Sequence, residues 1–346
     1  MGEVKKMGGK RDKLQRIENV LDNIDINNPH DGFFKYTLGR TEAMKEFLSL
    51  NLPGKIQKQL NFDTLNRKNE SYSDLLLKKG ITDLVYEIDF TENGSGYLVC
   101  LFEHKSTSEK GTILQVLEYM IKIWQDKFDD DKIPPVLPIV FYHGKDNWTA
   151  AKELIELFDT NIDWMIEAVP NFKLHLYTLK DVVSQLDKIS APEYEIYIRT
   201  LDIINTETQI EALEKFNEFL DFIEQQNWLS EWQEALATAT AIFYISLLAK
   251  PLIEINLVKK AQEKFPERGE LFMPVDNILI RKGKEEGRKE GQIEILTKQL
   301  SKKLPQENSE KIRMILKGAE DKSLEKLSEK IFDIEKLSEV VKILEE

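Results

Sequence analysis

Two short apolar runs, Asp83-Leu-Val-Tyr-Glu-Ile-Asp-Phe90 and Tyr97-Leu-Val-Cys-Leu-Phe-Glu-His-Lys105, are parted by Thr91-Glu-Asn-Gly-Ser-Gly96. No other feature of the chain narrows its fold as much. Asn-Gly between β-rich runs signals a hairpin, because a tight turn needs residues that tolerate a left-handed backbone. Two registers are open. A three-residue loop, Glu92-Asn93-Gly94 with Gly94 left-handed, sets Asp83 level with Glu103. A two-residue Asn93-Gly94 turn sets Asp83 opposite His104. In the first register two carboxylates face each other across a strand pair. Lys105, two residues beyond Glu103, takes the same face because strand side chains alternate.

At 346 residues the chain has room for two compact domains, or for one with a substantial appendage. Its single cysteine, Cys100, excludes an intramolecular disulfide and a multi-cysteine zinc site, and suits a reducing cytoplasm. The basic N-terminus has no apolar stretch behind it, so no signal peptide is expected. Lys6 stands where a myristoylation signal needs Ser or Thr. The apolar run from Ala235 to Ala249 is shorter than the roughly 20 residues that span a bilayer, and reads as a buried helix rather than a membrane anchor. A net charge of −13 argues against a protein that coats nucleic acid with its whole surface. It leaves room for a local basic grip on a short stretch of backbone.

Four regions are expected: a polar leader over 1–25, a mixed α/β domain over 26–190, a helical region over 191–270 and a charged helical tail over 271–346. Asn28-Pro-His-Asp-Gly-Phe-Phe-Lys35 reads as a turn feeding a helix, with Asp31 as its cap in preference to a place near the site. Thr41 to Leu48 has helical spacing, stopped by Leu52-Pro53-Gly54. A helix over about 111–128, with Ser108 as its cap, carries Ile113, Leu114, Leu117, Met120, Ile121 and Trp124 at the 3.6-residue period. Strands are expected in Pro134–Tyr142 and Phe172–Tyr177. Helices are expected over 207–224, 229–249 and 255–264, with two or three more between Ser309 and Glu346. Gly283, Gly287 and Gly291 recur every fourth residue among charges, which suggests a solvated hinge or a close helix contact.

With these residues in view, the chain resembles the recombination-promoting nuclease family, also labelled transposases, of the PD-(D/E)XK superfamily. The matching features are Asn28 to Lys35, Phe47-Leu-Ser-Leu-Asn-Leu-Pro53, Thr82-Asp-Leu-Val-Tyr-Glu87, Leu101-Phe-Glu-His-Lys-Ser106, Tyr119-Met-Ile-Lys-Ile-Trp124, and Val140-Phe-Tyr-His-Gly-Lys145 with Trp148. They cover roughly residues 25–180. No one of them is specific; their shared order carries the resemblance. It implies a restriction-endonuclease-like core, a mixed sheet flanked by helices, followed by an all-helical C-terminal region. It implies that Asp83 and Glu103 bind a divalent ion and that Lys105 orients or deprotonates the attacking water. Many relatives carry Gln at the place of Lys105, whereas lysine is the superfamily's usual residue. Gln115 and Tyr119 form a Gln-x-x-x-Tyr pattern that some related nucleases keep near the site or the DNA. Thr82 replaces the usual proline, which is not a ligand.

Phosphodiester cleavage needs an activated water and stabilisation of negative charge. Mg²⁺, or Mn²⁺, held by hard carboxylate oxygens meets that need, and a nearby lysine offsets the developing charge. The plainer reading of Asp83, Glu103 and Lys105 is a salt bridge at strand ends. Against it, Glu103 ends the apolar run Leu98 to Phe102, where an unpaired carboxylate is costly. Asp74 competes for the role of Asp83. Lys78 and Lys79 precede the hairpin and read as exposed turn lysines, with contact to a phosphate as the alternative. Glu87 shares a face with Asp83 as an auxiliary acid or an ordinary strand residue, and Gln115 and Tyr119 serve the site or helix-to-sheet packing. His30, His104, His143 and His175 show no metal-ligand spacing. The expectation is a Mg²⁺-dependent DNA endonuclease active in recombination, mobile-element or defence biology. It is cytoplasmic, with a homodimer formed through the C-terminal helices. The alternative is a nuclease-like scaffold whose tail mediates self-association or partner control.

Overall fold

The computed structural model describes residues 2–24, 29–68, 83–92, 94–103, 111–128, 133–159, 163–226 and 231–345. Five strands form one mixed sheet in sequence order: β1 (Leu60–Arg67), β2 (Asp83–Phe90), β3 (Ser95–Glu103), β4 (Val136–Tyr142) and β5 (His175–Thr178). The first three are antiparallel, and β3, β4 and β5 are parallel. A parallel pair needs a crossover, and the Thr112–Asp126 helix supplies it between β3 and β4. Its apolar positions recur at helical spacing, so one face is buried: Ile113, Val116, Tyr119, Met120 and Ile123 pack on Val85, Tyr97 and Val140 of the sheet.

The other face is covered by the Pro29–Thr37, Thr41–Asn51 and Pro192–Ile204 helices and is rich in rings. Phe47 meets Phe141 and Tyr177 edge-on at 5.6 Å each, and Tyr194 at 6.3 Å. Tyr86 crosses from β2 to donate its hydroxyl to the Leu38 carbonyl at 2.6 Å. Phe33 lies 5.2 Å from Tyr197 and 4.2 Å from Tyr244 of the Glu231–Leu248 helix. That helix is the apolar run noted above, and Ile242, Phe243, Tyr244 and Ile245 are fully buried in it. No described helix is long and apolar enough to cross a membrane. The Gly2–Asp22 helix packs on the same helix and buries Ile17 and Leu21.

β1 is an element that the sequence analysis did not anticipate. It pairs with β2 at Leu60–Phe90 and Asn61–Asp89, then resumes at Asn66–Glu87 after a register shift. Such an irregularity breaks the apolar–polar alternation by which a strand is read. Asp31 is the third residue of the Pro29–Thr37 helix, one turn too far in to be its N-cap. The expected cap Ser108 and the acidic turn 129–132 lie outside the described residues.

The chain divides into two compact units, Met1–Val275 and Asp276–Glu346. The second has its own core, in which Leu296, Leu300, Leu304, Ile312, Leu316, Leu324 and Leu327 are buried. Its Ser309–Lys317 helix is capped by Asn308, whose side chain accepts from the Glu310 and Lys311 amides. The glycine-spaced stretch is unbroken helix within Met273–Lys303. A Cβ at Gly283, Gly287 or Gly291 would meet nothing within 4 Å, so no close helix contact explains these glycines.

Candidate active site

The candidate site lies at the end of the sheet away from the hairpin turn. β2 opens at Asp83 and β3 closes at Glu103, whose Cα partner is Tyr142, the last residue of β4. Tyr142 in turn pairs with Thr178, the last residue of β5. The carboxyl ends of three parallel strands therefore share one edge, the place where open α/β sheets receive ligands.

The hairpin register differs from both sequence-based expectations. Asp83 pairs with Leu101, and neither Glu103 nor His104 stands opposite it. The Phe90 amide donates to the Gly94 carbonyl at 2.9 Å, so pairing begins at Asp89–Ser95. Gly94 is left-handed as expected, with φ 96°. Asn-Gly is compatible with more than one loop length, so the dipeptide alone does not fix the pairing. The Phe90 ring lies against Gly96, where a Cβ would come within 2.7 Å of the ring. The offset from the expected three-residue loop is two residues, which preserves the phase of the pleat. Backbone positions 83, 101 and 103 fall on one face, the one under the Thr112–Asp126 helix. Position 103 is the diagonal neighbour of 83, a separation of about 7–8 Å in a regular ladder. Lys105 lies outside the described residues, as do Asp74, Lys78, Lys79 and His104, and so do the side chains of Asp83 and Glu103.

Glu87 faces the same helix from the middle of β2. Lys68, just past the end of β1, pairs with its Oε2, and the Tyr97 hydroxyl donates to its Oε1 at 3.0 Å. The Lys68 ammonium holds the Glu87 carboxyl below the usual carboxylate range; partial burial opposes this, and Tyr97 adds to it. Four strand residues separate Glu87 from Asp83, about 13 Å. That distance keeps Glu87 from sharing an ion with position 83.

Gln115 and Tyr119 are one turn apart on the helix, and Gln115 Nε2 donates to the Tyr119 hydroxyl at 3.1 Å. Tyr119 is buried in the helix-to-sheet core, with the Lys122 ammonium 5.9 Å from its ring centroid. His143 is buried just beyond β4, where its carbonyl accepts from Asn205 Nδ2 at 2.7 Å. Lys145 Nζ donates to the Thr206 carbonyl at 3.1 Å, so the end of β4 is tied to the Pro192–Ile204 helix and the turn after it. Burial in β5 lowers the pKa of His175. Among the described side chains, no three His, Cys, Asp or Glu gather as a metal cluster. Lys68 and Tyr97 are the polar residues on this face that the sequence analysis missed. The strand leading to Lys68 had no alternation to reveal it.

Residues 28–230, more than half of the chain, match a protein-family model described as "Putative transposase, YhgA-like". The Escherichia coli K12 protein named recombination-promoting nuclease RpnA is 34% identical over 120 residues, which are 34% of this chain and 41% of that protein. Recombination-promoting nuclease RpnC of the same organism is 33% identical over 119 residues, 34% of this chain and 39% of the relative. A third relative there, named inactive recombination-promoting nuclease-like protein RpnE, is 31% identical over 121 residues, 34% of this chain and 40% of the relative. The chain thus spans about two fifths of the length of these curated relatives. No solved structure matches it.

Proposed function

The chain belongs to the family of YhgA-like transposases and recombination-promoting nucleases, and from that membership we propose that it is a divalent-metal-dependent endonuclease that cuts DNA during recombination. The supporting observation is the register: two acidic residues occupy diagonal backbone positions at the carboxyl edge of the sheet. Carboxylates at that spacing offer hard oxygen donors, which suit Mg²⁺ or Mn²⁺ better than zinc. When bound, such an ion acts as a Lewis acid on the phosphate and makes a water more acidic. In this reading Asp83 and Glu103 hold the ion. Lys105 orients the water and offsets the charge that builds on the phosphate oxygens. Tyr119, which accepts from Gln115, packs the helix that roofs this face against the sheet.

The test is cleavage of supercoiled plasmid with Mg²⁺ or Mn²⁺ by the native chain, Asp83→Ala and Lys105→Ala. Metal-dependent nicking or linearisation that both substitutions reduce by about 100-fold or more supports the reading. Equal cleavage by all three proteins sinks it. The name of RpnE and the separate core of the tail unit favour a second reading, a nuclease-like scaffold that assembles through its tail. The two readings are compatible, because a dimer brings two single-cut sites to one duplex. Sedimentation of the full chain against residues 1–275 separates them: an unchanged oligomeric state would exclude the tail as the assembly element.

A further inference from the structure

Lys68 is a cation in a chain with a net charge of −13. It follows β1, the edge strand of the sheet, and its amide donates to the Val85 carbonyl at 2.9 Å. Its ammonium is held at Glu87, four positions from Asp83 and about 13 Å along the strand, which matches the axial rise of about four nucleotides. The Lys68 ammonium is held by Glu87 Oε2, and the other oxygen of Glu87 is held by Tyr97. The Lys68 and Glu87 side chains are 27% and 31% exposed. An ion pair open to solvent to that extent contributes little stability. Its geometry is nonetheless that of a lysine on a phosphate: one anionic oxygen accepts from the ammonium while a neutral hydroxyl steadies the anion.

We propose that Lys68 is a contact for the nucleic-acid backbone beside the candidate site, and that Glu87 occupies it in the free protein as a stand-in for phosphate. The proposal rests on the nuclease reading above. When DNA arrives, the ammonium passes from the carboxylate to a phosphate oxygen, and Glu87 keeps its hydrogen bond from Tyr97. Glu87 therefore competes with DNA in two ways, by occupying the lysine and by repelling the phosphate. Substitutions at the two ends of one ion pair should then act in opposite directions.

The experiment titrates a short labelled DNA duplex into the full chain in EDTA over a series of salt concentrations. Lys68→Met should weaken binding about fivefold and reduce the salt slope by about one. Glu87→Gln should tighten binding by a similar factor, and Lys68→Arg should keep the native affinity. In plasmid cleavage with Mg²⁺, Lys68→Met should raise KM while kcat stays within about twofold. If Lys68→Met and Glu87→Gln shift binding in the same direction, or neither shifts it, the pair is structural and the proposal falls. A native chain that cleaves while the variants fail in this way overturns only the proposal. A native chain that binds without cleaving, with opposite shifts in the variants, overturns the nuclease reading and leaves Lys68 standing. Neither binding nor cleavage overturns both.

Discussion

Behind the sheet, Phe47, Phe141, Tyr177 and Tyr194 interlock as rings from four different elements; in front, one helix lays Val116, Met120 and Ile123 over Val85 and Val140, with Leu154 and Leu174 in the same core. The rear layer is closed by several helices, and the Tyr86 hydroxyl is bonded within it. The front layer takes in charged and polar pairs: Lys68 with Glu87, and Gln115 with Tyr119. The contrast teaches where rigidity and chemistry are kept. Edge-to-face aromatic packing fixes the strands from one side, so the other side can carry charges near the strand ends.

Three measurements would break or sharpen this contrast. Phe47→Ala should have the largest effect. It removes a fully buried ring with three aromatic neighbours, and should cost about 3–5 kcal/mol in denaturant unfolding. A loss below about 1 kcal/mol would mean that the rear layer is no stiffer than the front. Tyr119→Phe removes only the hydroxyl that receives Gln115 and should cost about 1 kcal/mol. If plasmid cleavage falls far more than that stability loss explains, the front helix takes part in the chemistry as well as in the packing. The smallest effect is the pH dependence of Glu87. Its folded pKa lies below the ordinary value of 4.5, so its contribution to stability is present above that pH and disappears as pH falls through the lowered folded value. The stability gap between the native chain and Glu87→Gln should therefore be full at neutral pH and shrink in acid. A gap that grows in acid would contradict the ion-pair assignment.

The sequence made the hairpin, the crossover helix and β4 legible because each satisfies a local rule. The hairpin has Asn-Gly between apolar runs, the helix has a 3.6-residue stripe, and β4 is an apolar run with prolines before it and near its start. The register was not legible, because Asn-Gly is compatible with several loop lengths, and the observed pairing of Asp89 with Ser95 corresponds to neither of the two short loops it suggests. The pairing of Glu87 with Lys68 was hidden for a related reason. It depends on the shifted register of β1 between Asn61 and Asn66, and no short window of sequence displays such a shift. Of the proposed site, the acidic positions at the strand ends could be read from spacing. The company they keep on the front face could not.

Phe33 rests against Tyr244, and the Gly2–Asp22 helix against the helix that carries Tyr244, so the rear wall of the sheet is joined by residues from opposite ends of the first unit. On the ribosome, which releases the N-terminus first, that wall stays open until Tyr244 has emerged. The strand ends at Asp83 and Glu103 are synthesised early and backed late. A nascent chain therefore carries the acids of its proposed cutting edge through about 140 further residues of synthesis before the wall that backs them is complete.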